Sequence, residues 1–159
     1  MVADRADRGG RRRPVVRRLR GEPLVARELW GAPLVLGAIG VYGVCTLPVV
    51  TPADLGWLAG DSGLGLTLGM VRGRTVRVFA RDGVLWQRYR WSTLGVWVGS
   101  TLLGAGFGFL AVAGGMHEDA RPMTLSIGVG LLGEALSIGR RALASGVPFA
   151  PAGAGLFAR

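Results

Sequence analysis

Five groups of residues in this 159-residue chain are of types that could do chemistry. Two are single carboxyls, Asp61 and Glu134, each set in an otherwise apolar run. A carboxyl at bilayer depth is costly and points to a proton or ion path, or to a buried hydrogen-bonded pair. For Asp61 the structural readings are a hydrogen bond with Ser62, Thr67 or a neighbouring helix, or a helix break between Gly60 and Gly63; for Glu134 the partners are Arg140 and Arg141, unless it snorkels to the interface. The third group, His117-Glu118-Asp119, has metal-ligating side chains, but three adjacent loop residues make a poor preset cage. A solvated loop with no metal is the expectation there. The fourth group, the glycine run 104–108, lies inside a hydrophobic stretch. It reads as packing glycine and not as a phosphate cradle, which needs a strand-to-helix turn facing solvent. Cys45 is alone, so it forms no disulfide within the chain and reads as a small buried hydrophobe. No nucleophile–base or acid–base set can be assembled from these residues. Catalytic residues and cofactors are therefore not expected, and the chain does not read as an enzyme.

The fifth group is the most specific. Over residues 72–91, RGRTVRVFARDGVLWQRYRW, apolar and basic residues alternate around Asp82-Gly83. Asp-Gly between two alternating runs is a strong hairpin signal. A two-residue turn there pairs Arg81 with Val84, Phe79 with Trp86 and Arg77 with Arg88. One face then carries Thr75, Arg77, Phe79, Arg81, Val84, Trp86, Arg88 and Arg90. The other carries Val76, Val78, Ala80, Leu85, Gln87, Tyr89 and Trp91, and can lie on a helix bundle. Directly opposed arginines repel, and an anionic lipid phosphate would relieve that. Arg72, Arg74, Arg77, Phe79, Trp86, Arg88 and Arg90 are the candidate lipid- or partner-contacting residues; the alternative is that the arginines are solvated and only set topology. Nucleic acid is not the expected partner, because charge alone is nonspecific.

The elements that must position these groups follow from segregated charge. All nineteen basic residues are arginine, the net charge is +9, and half the chain is hydrophobic. Residues 1–14 are polar and arginine-rich and read as a disordered tail. They do not resemble a signal peptide, having no early apolar core. Residues 15–31 read as a juxtamembrane interfacial segment, with Trp30 at headgroup level. Four spans follow, at about 32–50, 55–71, 92–113 and 122–139, within a helix bundle covering 32–141. Pro33 falls in the first turn of the first span and Pro48 closes it. Thr51-Pro52-Ala53-Asp54 reads as a tight turn. Residues 142–159 read as a flexible tail. The second span is marginal alone: a central Asp costs roughly 2.5–3.5 kcal/mol and each Leu or Val returns about 0.3–0.6. The glycine pairs 56/60 and 65/69 permit close helix contact that would hold it.

Orientation follows from arginine placement. Nine precede the first span, six lie in 72–91 and three follow the last span, while only Arg121 lies on the other side. That puts both termini and the hairpin in the cytoplasm. The expected fold is an all-α inner-membrane protein of about four transmembrane helices, with a short cytoplasmic β-hairpin between helices 2 and 3.

Three segments carry a family resemblance. Leu66-Thr67-Leu68-Gly69-Met70-Val71-Arg72-Gly73-Arg74-Thr75-Val76-Arg77-Val78-Phe79 is followed by Asp82-Gly83-Val84-Leu85-Trp86 and then by Thr93-Leu94-Gly95-Val96-Trp97. Together with Arg17-Arg18-Leu19-Arg20 ahead of the first span, this resembles the CcdC-like family of small bacterial membrane proteins, over about residues 17–110. The resemblance implies a multi-pass bacterial membrane protein. In two respects the chain departs from the family pattern. An arginine-rich tail replaces a further helix at the start, and Leu102-Leu103-Gly104-Ala105-Gly106 stands where members often carry an arginine. No CxxCH haem motif occurs.

The functional expectation is a non-enzymatic accessory or scaffold whose basic hairpin contacts membrane lipids, including anionic headgroups, or a partner membrane protein, with a homo-oligomer as another arrangement. The alternative is a small ion-coupled transporter using Asp61.

Overall fold

The computed structural model describes residues 22–117, 120 and 123–151. Among them run a short strand β1 (Glu22–Pro23), helices α1 (Ala26–Cys45) and α2 (Pro52–Thr75), strands β2 (Arg77–Arg81) and β3 (Val84–Arg88), and helices α3 (Trp91–Ala113) and α4 (Met123–Ala144). Two of the helices, α1 and α3, are long and apolar enough to cross a membrane.

The helices pack in the order α1–α4–α2–α3. The most extensive contact joins α2 to α4; α1 covers α4, and α3 leans on α2. The central pair meets through backbone. A Cβ on Gly69 would overlap the carbonyl oxygen of Gly130, one on Gly133 would overlap that of Leu66, and one on Gly73 would stand 2.7 Å from the Ser137 Cβ. Only glycine allows the axes this close, as in small-residue membrane interfaces. The flanking helices turn their apolar side chains outward: Leu34, Ile39 and Tyr42 on α1, and Trp97, Leu102 and Phe109 on α3, are exposed. Trp57 meets Phe107 edge-on, with centroids 5.7 Å apart, where α3 leans on α2.

The hairpin forms in the register the sequence predicts but over 77–88, not 72–91: residues 72–75 are the last turn of α2, and Trp91 opens α3 and is exposed, not turned to the bundle. Arg77 faces Arg88, Phe79 faces Trp86 and Arg81 faces Val84. Asp82 (φ 53°) and Gly83 (φ 77°) are both left-handed, the pairing a type I′ turn requires. The sheet has a third strand that alternation could not reveal. Glu22 and Pro23 pair with Gln87 and Trp86, making the order β1-β3-β2. Proline is tolerated there because β1 is an edge.

Several boundaries differ from the sequence reading. Helix α1 begins at Ala26, so the end of the expected interfacial segment is helix and Pro33 is an interior, buried residue. The added turns gain tertiary contacts that outweigh the proline: Leu29 packs on the core beneath the sheet, and Trp30 packs on Gly139. The expected turn at residues 51–54 is the start of α2. Thr51 is its N-cap, Asp54 completes a capping box and Pro52 stands in the first turn. α2 then continues through Asp61 without a break. At the other end of the chain, α4 runs to Ala144 and Val147 and Phe149 pack against the sheet-side core. Pro148 accepts from the Leu85 N–H, and the Ala150 N–H donates to Leu24. The described part of the expected flexible tail is therefore held in place. The expected disordered segment 1–14 lies outside the described residues.

Apolar burial concentrates at the two ends. Leu24, Val76, Leu85, Ile138 and Ala142 form a core under the sheet. Leu58, Ala111, Met116 and Ala120 form another at the opposite end.

Candidate functional site

The basic face of the hairpin projects away from the core. Leu85 on its inner face and Val76, between α2 and β2, are both almost fully buried, so the pleat turns the alternate residues outward. Arg77, Arg81 and Arg88 are exposed, Phe79 is partly exposed, and Trp86 is half-buried. The Arg81 guanidinium lies over the Trp86 ring, 4.8 Å from its centroid, and its Nε is 3.4 Å from the Asp82 carboxylate. Arg74 is exposed on the last turn of α2, and Arg90 is exposed ahead of α3. Where the strands open into α3, a depression of about 460 Å³ is lined by Arg77, Arg88, Tyr89, Arg90, Trp91 and Ser92.

Arg72 does not belong to this face. It is buried, and its Nε donates to Glu134 Oε2 at 2.6 Å. Tyr89 completes the site, its hydroxyl donating to Glu134 Oε1 at 2.9 Å. Arg72 Nη2 also reaches the Gly130 carbonyl at 3.3 Å. Glu134 therefore pairs across helices, not with Arg140 or Arg141. Those arginines follow it at six and seven residues, beyond the three- or four-residue helical spacing that would bring them together. Arg141 instead closes the end of α2. Its Nη1 donates to the Val76 carbonyl at 2.9 Å, its Nη2 donates to Gly73, and its Nε reaches Ser137 at 3.3 Å. Partial burial lowers the Arg141 pKa from its ordinary value, and the α2 carbonyls supply the acceptors that offset it. The buried Thr93 hydroxyl joins α3 to the same place by donating to the Thr75 carbonyl at 3.3 Å.

Asp61 is buried in the middle of α2, where Ser126 of α4 donates to its Oδ2. Of the partners considered from sequence, a neighbouring helix is the one it meets. At the opposite end from the sheet, Asp54 has no exposed surface. Its Oδ1 accepts from the His117 backbone N–H at 2.9 Å and its Oδ2 from the Thr51 backbone N–H at 2.9 Å. The Thr51 hydroxyl donates to Oδ2 at 2.7 Å. These bonds, the one from the His117 backbone foremost, hold the Asp54 carboxyl well below the usual carboxylate range. The His117 ring Nδ1 lies 3.1 Å from Asp54 Oδ2. His117 is thus part of an α2 anchor; Glu118 and Asp119 lie outside the described residues. No cluster of three metal-ligating side chains occurs among the described residues. Cys45 is exposed at the end of α1, not buried as expected.

Sequence reasoning missed the Arg72–Glu134–Tyr89 cluster, although one signal was available. The hairpin register turns Tyr89 toward the bundle, and a tyrosine hydroxyl on a buried face needs a partner. Asp54 was missed because a capping box was read as a turn.

No family model, curated protein or solved structure matches the chain.

Proposed function

We propose that the chain is a four-span membrane protein of the CcdC-like kind with a non-enzymatic, accessory role, whose sheet faces the cytoplasm and engages anionic lipid headgroups. α1 and α3 supply the lipid-facing apolar surface. α2 and α4 are less apolar because they carry Asp61 and Glu134, and both carboxyls are met by hydrogen bonds from another helix. A central helix shielded on both sides can carry such groups where an isolated span could not. Eighteen arginines flank the sheet end in this topology and one the other end. The observation that carries the reading is the exposed set Arg77, Arg81 and Arg88 on the outer face of a sheet packed against the helix ends, flanked by exposed Arg74 on the last turn of α2 and Arg90 ahead of α3. Each basic residue near an anionic surface contributes about 1 kcal/mol.

The test is lipid retention by the purified full-length chain, read by native mass spectrometry. Phosphatidylglycerol should be retained over phosphatidylcholine, and the Arg74→Gln/Arg81→Gln double variant should retain less of it. Equal retention of the two lipids by the unmodified chain would remove the reading.

Asp61 is the basis of the alternative, an ion-coupled carrier. Its bond from Ser126 favours a structural role. Asp61→Asn keeps an acceptor for Ser126; abolished proton-linked flux with an intact fold would favour the carrier, and an unchanged phenotype would dismiss it.

A further inference from the structure

The depression between the open end of the hairpin and the first turn of α3 has a narrower chemistry than a basic surface. We propose that it is a binding site for a lipid headgroup ending in a phosphate monoester. This rests on the reading that the sheet lies at headgroup level, and it specifies which headgroup the sheet takes.

Three of the six described lining residues are arginines, contributed by β2 (Arg77), β3 (Arg88) and the β3–α3 junction (Arg90). Among the described residues no carboxylate lines the depression. The hairpin's own acid, Asp82, is at the far tip beside Arg81, and Glu22 of β1, opposite Gln87, is buried. Planar guanidinium forks match phosphate oxygens in pairs. A phosphate monoester has three terminal oxygens and a charge near −2 at neutral pH, because its second pKa is about 6. A phosphodiester has two such oxygens and a charge of −1. Three guanidiniums around one depression distinguish the two by charge and by number of acceptors. Trp91 and Ser92 open α3 at the same place, where first-turn N–H groups have no partner within the helix; they add to a preference already set by the arginines.

The rim of the site favours a lipid over free phosphate. Trp91 is 77% exposed and is the first residue of an apolar helix. Leu94, Val98 and Leu102 continue from it at helical spacing and are also exposed. They form an apolar track leading from the depression along α3, on which an acyl chain can lie while the phosphate sits among the arginines.

The experiment uses the full-length chain in detergent micelles, titrated with dioctanoyl phosphatidic acid, phosphatidylglycerol or phosphatidylcholine, or with inorganic phosphate, and read by tryptophan emission. Phosphatidic acid should bind at least tenfold more tightly than phosphatidylglycerol, and phosphatidylglycerol more tightly than phosphatidylcholine. Inorganic phosphate should leave the signal unchanged at the concentration where phosphatidic acid saturates it. Arg77→Gln should bring phosphatidic acid down to the phosphatidylglycerol level. Arg77→Lys, which keeps the charge without the fork, should weaken it several-fold, and Arg27→Gln on α1 should not change it. Equal binding of the two anionic lipids, both above phosphatidylcholine, would overturn the monoester site and leave the general headgroup reading intact. Equal binding of all three lipids would overturn both. Saturation by inorganic phosphate in the same concentration range would overturn the lipid assignment. Unchanged phosphatidic acid binding by both Arg77 variants would place the ligand elsewhere.

Discussion

Replacing Glu134 by glutamine isolates the charge that holds the sheet end of α2 to α4. The substitution keeps volume and removes the negative charge opposite Arg72, whose side chain is only 10% exposed. Breaking a buried pair by removing one partner costs roughly 3–5 kcal/mol, because the remaining charge is left without compensation. Arg72 keeps the Gly130 carbonyl at 3.3 Å, and the glutamine oxygen can still accept one bond, so the expected loss is near the low end, about 3 kcal/mol. Removing both members in an Arg72→Met/Glu134→Leu variant leaves no buried charge and should recover most of that loss. The single variants Arg72→Met and Glu134→Leu, this double variant and the unmodified chain form a cycle, measured by reversible unfolding in mixed micelles. A coupling energy of about 2 kcal/mol or more is expected. Additivity within about 0.5 kcal/mol, or a double variant less stable than both singles, would refute the argument that this charge pair joins the helices.

Other expectations follow from geometry and charge. Gly69→Ala should destabilise the bundle by about 1–3 kcal/mol, since the new methyl overlaps the Gly130 carbonyl. Gly99→Ala, which meets nothing within 4 Å, should be neutral or stabilising by up to about 1 kcal/mol; equal effects in the same unfolding assay would contradict the close α2–α4 approach. Asp54 has a folded-state pKa held below its unfolded value. Its contribution is therefore complete above the unfolded value of about 3.9 and is lost as pH falls toward the folded one. The melting difference between the unmodified chain and Asp54→Asn should be full at about pH 5 and shrink toward about pH 3; a difference that grows on acidification would contradict the assigned bonds.

The hairpin was legible residue by residue because its signals are local. Period-two alternation and Asp-Gly fix the register, and the register fixes the faces. The long helices were legible from apolar runs between arginine clusters. The buried pair was not, because Arg72 and Glu134 are 62 residues apart and meet only once the glycines of α2 and α4 bring the backbones together. In sequence, Arg72 is indistinguishable from Arg74: both end a helix at the start of a basic stretch, and only helix rotation decides which faces the bundle. Strand β1 was hidden because two residues ending in proline carry no alternation. The extension of α1 past Pro33 was hidden because the contacts that hold it, Leu29 on the core and Trp30 on Gly139, are tertiary.

The proposed function requires α2 and α4 to cross the bilayer along with α1 and α3. Single-cysteine labelling of intact cells, in a Cys45→Ser background with an impermeant thiol reagent, measures this directly at Asp82 in the hairpin turn and at Val49, which is 68% exposed between α1 and α2. The four-span arrangement predicts that Val49→Cys labels in intact cells and that Asp82→Cys labels only after permeabilisation. Labelling of Asp82→Cys in intact cells would put the basic sheet on the outer side, as when only α1 and α3 cross, and would contradict it.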